Sequence, residues 1–316
     1  MFEPRPTTVR LQKHSWAFTQ SAVLFTAIEN GLFTSFSLRG DSLATIAKDA
    51  GITENNAKRM ITALLTLELV ERAGDGFCNA PDVERFLVED TRSYAGRWIT
   101  WFHHQWNAWG ELGKRLEDTG PEDPLGFYDE SFTVDHARRY HQATASVGMG
   151  AARKFMSEVP LDGRNLLFDL GGGSGAYSIE AAKRNPGLKA VVLDLPEVVL
   201  VVTRDFIKEL GADAILMNSN LPQYSGEMIC QVLGKAFDAL APGGEMHICG
   251  EMVNEDWSGP LIPAMCSVHG VLFHSTALPH TPTDCIRYFE ETGFEDVKVR
   301  EFIPDILQHI TGCKPA

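Results

Sequence analysis

The sequence lacks paired cysteines and long apolar runs. Its 6 cysteines are scattered along 316 residues without a Cys-x-x-Cys pair, so neither a disulfide framework nor a zinc site is indicated. No apolar run reaches the roughly eighteen residues that a membrane-spanning helix needs, and the first residues contain no apolar signal region. These absences predict a cytoplasmic protein with free thiols, no bound metal and no membrane contact.

Basic residues are also few. The chain has 28 Lys and Arg against 42 Asp and Glu, which gives a formal net charge of −14. A protein that binds nucleic acid along its backbone needs a basic face, and no basic stripe is present, so nucleic acid is not expected as a partner. The remaining composition, with 44% hydrophobic and 22% charged residues, is that of a globular protein long enough for two domains.

The most informative motif is an apolar strand over residues 166–169 that ends in Asp169 and breaks into glycines at positions 171, 172, 173 and 175. Glycines allow the backbone to turn tightly and to approach a ligand closely. A carboxylate just before such a turn would repel the pyrophosphate of a dinucleotide. S-adenosylmethionine instead carries an ammonium and a sulfonium, which a carboxylate stabilises. The motif therefore favours S-adenosylmethionine as the cofactor.

A second carboxylate supports this interpretation. The strand over residues 190–193 ends at Asp194, about twenty residues beyond the glycines, where an adenosyl cofactor presents its ribose hydroxyls. A dinucleotide-type pattern can also be fitted to Gly171, Gly173 and Ala176, so the glycines alone are weak evidence. The alternative is a tight strand-to-helix turn with a solvated Asp194.

The chain changes character near residue 163. Before it, residues 42–67 read as a helix–turn–helix and residues 69–78 as a hairpin, which together predict a winged helix. After it, strands and helices alternate, as in a mostly parallel sheet that binds ligands at the carboxyl ends of its strands. The helix over residues 15–25 is apolar on more faces than a lone surface helix should be, which predicts burial against a second subunit.

These features, together with Asp194-Leu195-Pro196, the turn at residues 241–244 and a closing Thr292-Gly293-Phe294, give the chain a family resemblance. It resembles the dimeric small-molecule O-methyltransferases, which include hydroxyindole, plant phenolic and bacterial polyketide enzymes. The resemblance implies an α/β fold: a class I, Rossmann-like S-adenosylmethionine-dependent methyltransferase domain over residues 161–316. A helical winged-helix dimerisation domain over residues 1–92 and aromatic linker helices over residues 93–160 would precede it, and the chain would form a homodimer through its N-terminal helices.

The resemblance also implies roles for individual residues at the cofactor. Gly171, Gly173 and Gly175 would line the methionine part of S-adenosylmethionine, and Asp169 would lie near its ammonium. Asp194 and Leu195 would hold the ribose. Asn218, which follows the third strand of the sheet, completes the predicted cofactor set. The product would be S-adenosylhomocysteine, together with a methylated small molecule.

The sequence departs from the family in two places. The family has a further strand before the one beginning near Ala214, and Gly211-Ala212-Asp213 leaves no room for it. Loss of an interior strand would break the ladder beside the cofactor, so we expect that a segment between Leu210 and Ala214 is absent from the sequence. The family's general-base histidine is also missing, because Pro222 occupies its place, and proline cannot accept a proton.

A site without that base suits an acceptor with no proton to lose. A thioether sulfur attacks a methyl-sulfonium directly, so catalysis would rest on positioning and desolvation. The preferred hypothesis is therefore S-methylation of a small thioether acid, as in the branch similar to the S-methyltransferases of 4-methylthio-2-hydroxybutyrate in dimethylsulfoniopropionate biosynthesis. O-methylation of a phenolic, indolic or polyketide acceptor with a relocated base, and C-methylation, remain open.

Candidates for the acceptor pocket come from the linker helices and from the segment after residue 265. Five side chains could hold an acceptor carboxylate: Tyr140, His141, Arg153, His269 and His274. Of these, His269, His274 and Tyr140 are also the predicted catalytic groups, since a histidine could replace the missing base. Trp106, Tyr128 and Met149 would pack around the donor or acceptor. Ordinary core packing is the alternative for each of them.

Overall fold

A computed structural model describes residues 6–36, 40–117, 133–194 and 211–316. The chain divides into two compact units, Met1–His104 and Gln105–Ala316. Residues 93–104 of the predicted linker segment lie in the first unit, and the rest of that segment lies in the second. In the described ranges, no helix is both long and apolar enough to cross a membrane.

The first unit is mainly helical. Its helices are α1 (Val9–Glu29), α2 (Leu32–Ser35), α3 (Leu43–Asp49), α4 (Glu54–Thr66), α5 (Pro81–Phe86) and α6 (Gly96–Ile99). Its strands, β1 (Val70–Ala73) and β2 (Gly76–Asn79), form an antiparallel hairpin. A 3₁₀ helix, Thr100–Gln105, follows α6.

Local hydrogen bonds explain where α3 and α4 begin. The hydroxyl of Ser42 accepts from the backbone N–H of Thr45, and the hydroxyl of Thr53 accepts from that of Asn56. Each bond satisfies a backbone donor that the first helical turn leaves without a partner. The helix–turn–helix and the hairpin therefore lie where the sequence places them.

The second unit is built on a six-stranded sheet in the order β4-β3-β5-β6-β8-β7. Its strands are β3 (Leu166–Leu170), β4 (Lys189–Leu193), β5 (Ala212–Asn218), β6 (Leu240–Gly250), β7 (Glu295–Ile303) and β8 (Leu307–Cys313). Its helices are α7 (Trp106–Gly110), α8 (Leu112–Glu117), α9 (Val134–Glu158), α10 (Ala176–Arg184), α11 (Gly226–Ala239), α12 (Leu261–Gly270) and α13 (Pro282–Glu291), with 3₁₀ turns at Leu221–Gln223 and Val271–Phe273.

Strands β3 to β6 pair in parallel, and β8 then runs antiparallel to β6 and to β7. Strand β3 pairs with β4 on one side and with β5 on the other, so the chain reverses its direction across the sheet between them. Ligands bind beyond the carboxyl ends of the strands at such a switch point. The predicted cofactor turn follows β3 and therefore lies at this point.

The same pairing corrects one expectation. Among the described residues β4 is the edge strand, and the ladder between β3 and β5 is continuous, with Leu167 opposite Ala214 and Leu170 opposite Met217. The prediction that a missing strand would open an interior gap is therefore wrong. A strand placed after β4 would extend the edge of the sheet, so its loss leaves the ladder beside the turn intact. The inference that a segment is absent from the sequence loses this support, and Leu210 itself lies outside the described residues.

Alternating side chains of β3 supply two separate cores. Phe168 packs with α11 and α13 on one face of the sheet, and Leu167 packs with α9 and α10 on the other. Both side chains are buried, as the period of two in a strand covered on both faces requires. Helices on both faces hold the carboxyl ends of the strands in fixed positions, which is what a ligand site at that edge needs.

Candidate functional site

The turn after β3 needs its glycines for conformation. Gly171, Gly173 and Gly175 have φ angles of +62°, +53° and +72°, values that L side chains rarely adopt. Gly175 also precedes the first residue of α10. The turn therefore delivers the start of a helix to the sheet edge, as the strand-to-helix motif predicts.

The protein's own side chains fill the space that β-carbons would occupy in this turn. A Cβ on Gly171 would collide with the amide of Asn220, and one on Gly172 would lie 2.6 Å from the carboxylate carbon of Asp169. A Cβ on Gly173 would lie 2.9 Å from Cε1 of His141. The glycines thus allow three polar side chains to touch the backbone of the turn.

Asp169 is almost fully buried at the end of β3. Its Oδ2 accepts from the hydroxyl of Ser178 at 2.8 Å and from the Ser178 N–H at 3.3 Å, while Oδ1 has no partner among the described residues. Burial raises the pKa of Asp169 to about 6, the Ser178 bonds oppose the rise, and the charge of Asp194 adds to it. A nearby cation would stabilise the charged form, which matches the expected position of the ammonium.

Asp194 follows β4 and faces the turn. Its Oδ2 accepts from the Gly173 N–H at 2.7 Å. The charge of Asp194 also adds to the rise in the pKa of Tyr140 and of Tyr224, each of which burial raises most. Asp194 therefore lies near other polar side chains at the switch point, and its role at the ribose stays a prediction.

Asn218 ends β5 at the same edge. Both polar atoms of its side-chain amide are buried and have no hydrogen-bond partner among the described residues. A buried amide without partners is costly, so this group is placed to receive a polar ligand. Leu195, the remaining residue of the predicted cofactor set, lies outside the described residues.

Glu251 is a site residue that the sequence reasoning missed. It comes directly after β6, which ends at Gly250, and its Oε2 is buried without a partner among the described residues. Burial raises the pKa of Glu251 to about 7, and its charge in turn adds to the raised pKa of Tyr140 and Tyr177. An acid at the end of a parallel strand is the pattern that identified Asp169 and Asp194, so the same rule could have found it.

Pro222 lies beside β6, the strand that directly precedes Glu251. It belongs to the 3₁₀ turn Leu221–Gln223, and the Cβ of Leu221 lies 2.6 Å from where a Cβ on Gly250 would stand. The turn that lacks a base therefore packs directly on the residue before Glu251. A titratable group that the sequence analysis did not name is thus present beside Pro222, where the family's histidine is missing.

Tyr140 and His141 are the predicted acceptor-site residues that the structure brings to the turn. His141 contacts Gly173. The charges of Glu251 and Asp194 both raise the pKa of Tyr140. Their rings meet edge to face, with centroids 5.5 Å apart. Helix α9 therefore forms one wall of the site.

His269 is held by the segment around α7. Its Nε2 lies 2.6 Å from Oε1 of Gln105, and its ring stacks on Trp109 with centroids 5.9 Å apart. Trp106, the predicted packing residue, is half-buried at the start of α7. His274 is half-buried and ends the 3₁₀ turn after α12 in a left-handed conformation, with φ at 52°. Their catalytic and acceptor-binding roles stay predictions.

Three other acceptor-site predictions fare differently. Arg153 is exposed on α9, between the buried Ala152 and Phe155, because the helix period turns it to solvent. Its role in holding an acceptor carboxylate stays a prediction. Met149 packs against the core between α9, α10 and the sheet, which is the core alternative weighed for it. Tyr128 lies outside the described residues.

The polar groups at this edge fit S-adenosylmethionine. Asp169, Asn218, His141 and Glu251 each have buried polar atoms without a partner among the described residues. Buried polar atoms are normally paired, so the group indicates a polar ligand. Three carboxylates, Asp169, Asp194 and Glu251, suit a ligand with positive centres and would repel a phosphate.

This acid-flanked turn at the switch point of a mostly parallel sheet is that of an S-adenosylmethionine-dependent methyltransferase. Residues 126–295, more than half of the chain, match the O-methyltransferase domain family, and the chain belongs to that family. The predicted family, the α/β fold and the S-adenosylmethionine cofactor are thereby confirmed.

Similar proteins methylate different acceptors. The tetracenomycin polyketide synthesis 8-O-methyl transferase TcmO of Streptomyces glaucescens is 25% identical over 322 residues, covering 95% of this chain and 94% of the relative. The N,N-dimethyltransferase OxyT of Streptomyces rimosus is 27% identical over 338 residues, covering 95% and 94%. The fold also matches the crystal structure of human N-acetylserotonin methyltransferase in complex with SAM, with a TM-score of 0.81, 22% identity and coverage of 100% of both chains.

Proposed function

We propose that this chain transfers a methyl group from S-adenosylmethionine to a hydroxyl oxygen of a phenolic, indolic or polyketide-type small molecule, with Glu251 as the general base. The observation that carries the proposal is the carboxylate of Glu251, whose Oε2 is buried without a hydrogen-bond partner among the described residues and whose pKa burial raises to about 7. It lies next to the turn in which Pro222 takes the place of the expected histidine. The relatives whose names specify a polyketide or serotonin-type acceptor support the acceptor class.

The proton to be removed is that of the acceptor hydroxyl. An aromatic hydroxyl with an ordinary pKa of about 10 is a poor nucleophile near neutrality, and bound S-adenosylmethionine supplies an electrophilic methyl group. The carboxylate of Glu251 would accept the hydroxyl proton as the oxygen attacks. A base whose pKa lies near the working pH is ionised in a useful fraction and still binds the proton well.

Tyr140 would position the acceptor. Burial, with the charges of Glu251 and Asp194, raises the pKa of Tyr140 to about 12, so the phenol stays protonated at neutral pH. Its hydroxyl can then donate a hydrogen bond towards an oxygen in the site. Asp169 and Asp194 would balance the positive charge of the donor.

S-methylation of a small thioether acid is the second candidate. Pro222, in the 3₁₀ turn at the sheet edge, supports it, because a proline there is compatible with an acceptor that loses no proton. Dimethylsulfoniopropionate biosynthesis would be the context of such a reaction. The two candidates differ in whether Glu251 must be ionised for turnover.

One assay separates the two candidates. Homocysteine release should be measured with a panel of phenols, hydroxyindoles and polyketide-type hydroxyarenes against 4-methylthio-2-hydroxybutyrate, from pH 5.5 to 9. We expect turnover with a hydroxyl acceptor, rising with pH through one ionisation near 7, because the base form of Glu251 increases. Asp135→Asn, an exposed change on α9, serves as the matched control and should keep wild-type turnover. Turnover on the thioether alone, flat across the pH range, would reject O-methylation.

We also propose that the chain forms a homodimer through α1. Trp16 and Phe18 on this helix are 68% and 62% exposed, and Val9 and Leu11 are exposed as well. Large exposed apolar groups on one helix mark an interaction surface, and a second copy is the partner that the family resemblance implies.

Introducing two negative charges on α1 should dissociate the dimer. We expect sedimentation velocity to show a dimer for the wild type and a monomer for Trp16→Glu/Phe18→Glu, since the change buries two carboxylates in an apolar interface. Lys48→Glu, an exposed change on α3, should leave the dimer intact. A wild-type protein that sediments as a monomer at tens of micromolar contradicts the proposal.

A further inference from the structure

We propose that His141 donates a hydrogen bond to the carboxylate of the amino-acid part of S-adenosylmethionine. His141 lies on α9, and its ring lies against Gly173, in the turn where the cofactor's methionine part is expected. The position of a Cβ on Gly173 is 2.9 Å from Cε1 and 3.0 Å from Nδ1 of His141. The ring is therefore in contact with the backbone of the turn and borders whatever the turn holds.

Both ring nitrogens of His141 are buried and have no hydrogen-bond partner among the described residues. A neutral imidazole carries one donor and one acceptor, and leaving both unpaired in the interior is costly. Its position against Gly173 means that a ligand in the turn is within reach of one of them. The ring therefore presents an unsatisfied hydrogen-bond donor and an unsatisfied acceptor at the cofactor site.

The charges around the turn decide which part of the cofactor His141 would meet. Three carboxylates surround the site, those of Asp169, Asp194 and Glu251, and they suit the ammonium, the ribose hydroxyls and the sulfonium. The cofactor's own carboxylate is repelled by all three and needs a donor. His141 is a side chain in contact with the turn that can supply one.

The protonation of His141 is compatible with this role. Burial lowers its pKa, and the nearby charge of Asp194 opposes the change. A neutral ring still donates one hydrogen bond, and the arrival of a carboxylate would favour the tautomer that points its N–H at it. The charges of Glu251 and Asp194 both raise the pKa of Tyr140, the neighbouring donor on α9.

The test is the affinity of two product analogues for the full-length protein, measured by calorimetry. S-adenosylhomocysteine carries both the ammonium and the carboxylate, and S-adenosyl-3-thiopropylamine carries the ammonium without the carboxylate. His141→Phe keeps a ring against Gly173 and removes the donor. We expect it to weaken S-adenosylhomocysteine by about 10- to 100-fold, the range for a hydrogen bond to a charged group, and to leave the decarboxylated analogue within about 3-fold.

A second variant guards against loss of packing. His141→Gln retains an amide donor and should recover most of the affinity for S-adenosylhomocysteine. Gln142→Leu, at the exposed neighbouring position, should change neither affinity. Unchanged binding of S-adenosylhomocysteine to His141→Phe, or an equal loss for both analogues, would overturn the proposal, the second result showing that the ring only shapes the turn. No acceptor enters the measurement, so its outcome is independent of the proposed O-methylation.

Discussion

Glu251→Gln should lower kcat for a hydroxyl acceptor by about 10²- to 10⁴-fold, the usual contribution of a positioned general base. Glutamine keeps the size of the side chain and cannot accept the proton at neutral pH. The measurement is steady-state homocysteine release with saturating cofactor. Calorimetric binding of S-adenosylhomocysteine should stay nearly unchanged, because this product lacks the sulfonium charge and the residues of the glycine turn are unaltered.

The pH profile gives an independent readout of the same change. Burial raises the pKa of Glu251 to about 7, so the wild-type rate should fall as the pH drops through that value and the carboxylate takes up a proton. The variant should lose this limb of the profile. An activity loss without a change in the profile would assign Glu251 a positioning role only.

Stability provides the control for Glu251→Gln. A carboxyl whose pKa is raised by folding opposes folding once the pH exceeds its unfolded value near 4.3. Removing the charge therefore should not lower the thermal midpoint at pH 8. A clear drop in the midpoint would mean that the variant damages the fold, and Glu251→Asp, which keeps the base, would then be the informative comparison.

Asp194→Asn should weaken S-adenosylhomocysteine binding by about 100-fold or more. The carboxylate is expected to accept two charge-assisted hydrogen bonds from the ribose, and such bonds are about twice as strong as neutral ones. Asparagine can still accept from the Gly173 N–H, which Asp194 binds at 2.7 Å, so the turn should keep its shape. Calorimetry measures the loss.

Asp135→Asn is the matched control for this change, because Asp135 is exposed on α9 and pairs with Arg138 at 2.6 Å. It should bind S-adenosylhomocysteine as the wild type does. If Asp194→Asn retains wild-type affinity, Asp194 does not hold the cofactor, and its hydrogen bond to Gly173 would be a structural feature of the turn.

The position of the acid-flanked glycine turn was predictable because its signals are local. Asp169 and the glycines follow one strand directly, and Asp194 follows the next, so the order of strand, turn and helix places them without knowledge of the rest of the fold. The helix–turn–helix in the first unit was predictable for the same reason, since Ser42 and Thr53 stand immediately before their helices.

The acceptor half depended on contacts between distant parts of the chain. Strand order decided that β3 and β5 pair directly, and a sequence pattern does not give strand order. Helix rotation decided that Arg153 faces solvent while His141 touches Gly173.

The sequence by itself determined the donor: an acid, a glycine turn and a second acid, all set by neighbours along the chain. Only the tertiary structure decided the environment of Glu251, the proposed base. Its carboxylate is lifted to a useful pKa by burial, and burial arises when β6, the turn at Pro222 and the helices on both faces of the sheet come together. Residues adjacent in the sequence determine the glycine turn and its flanking acids, whereas the desolvation of a carboxylate depends on how the whole fold packs.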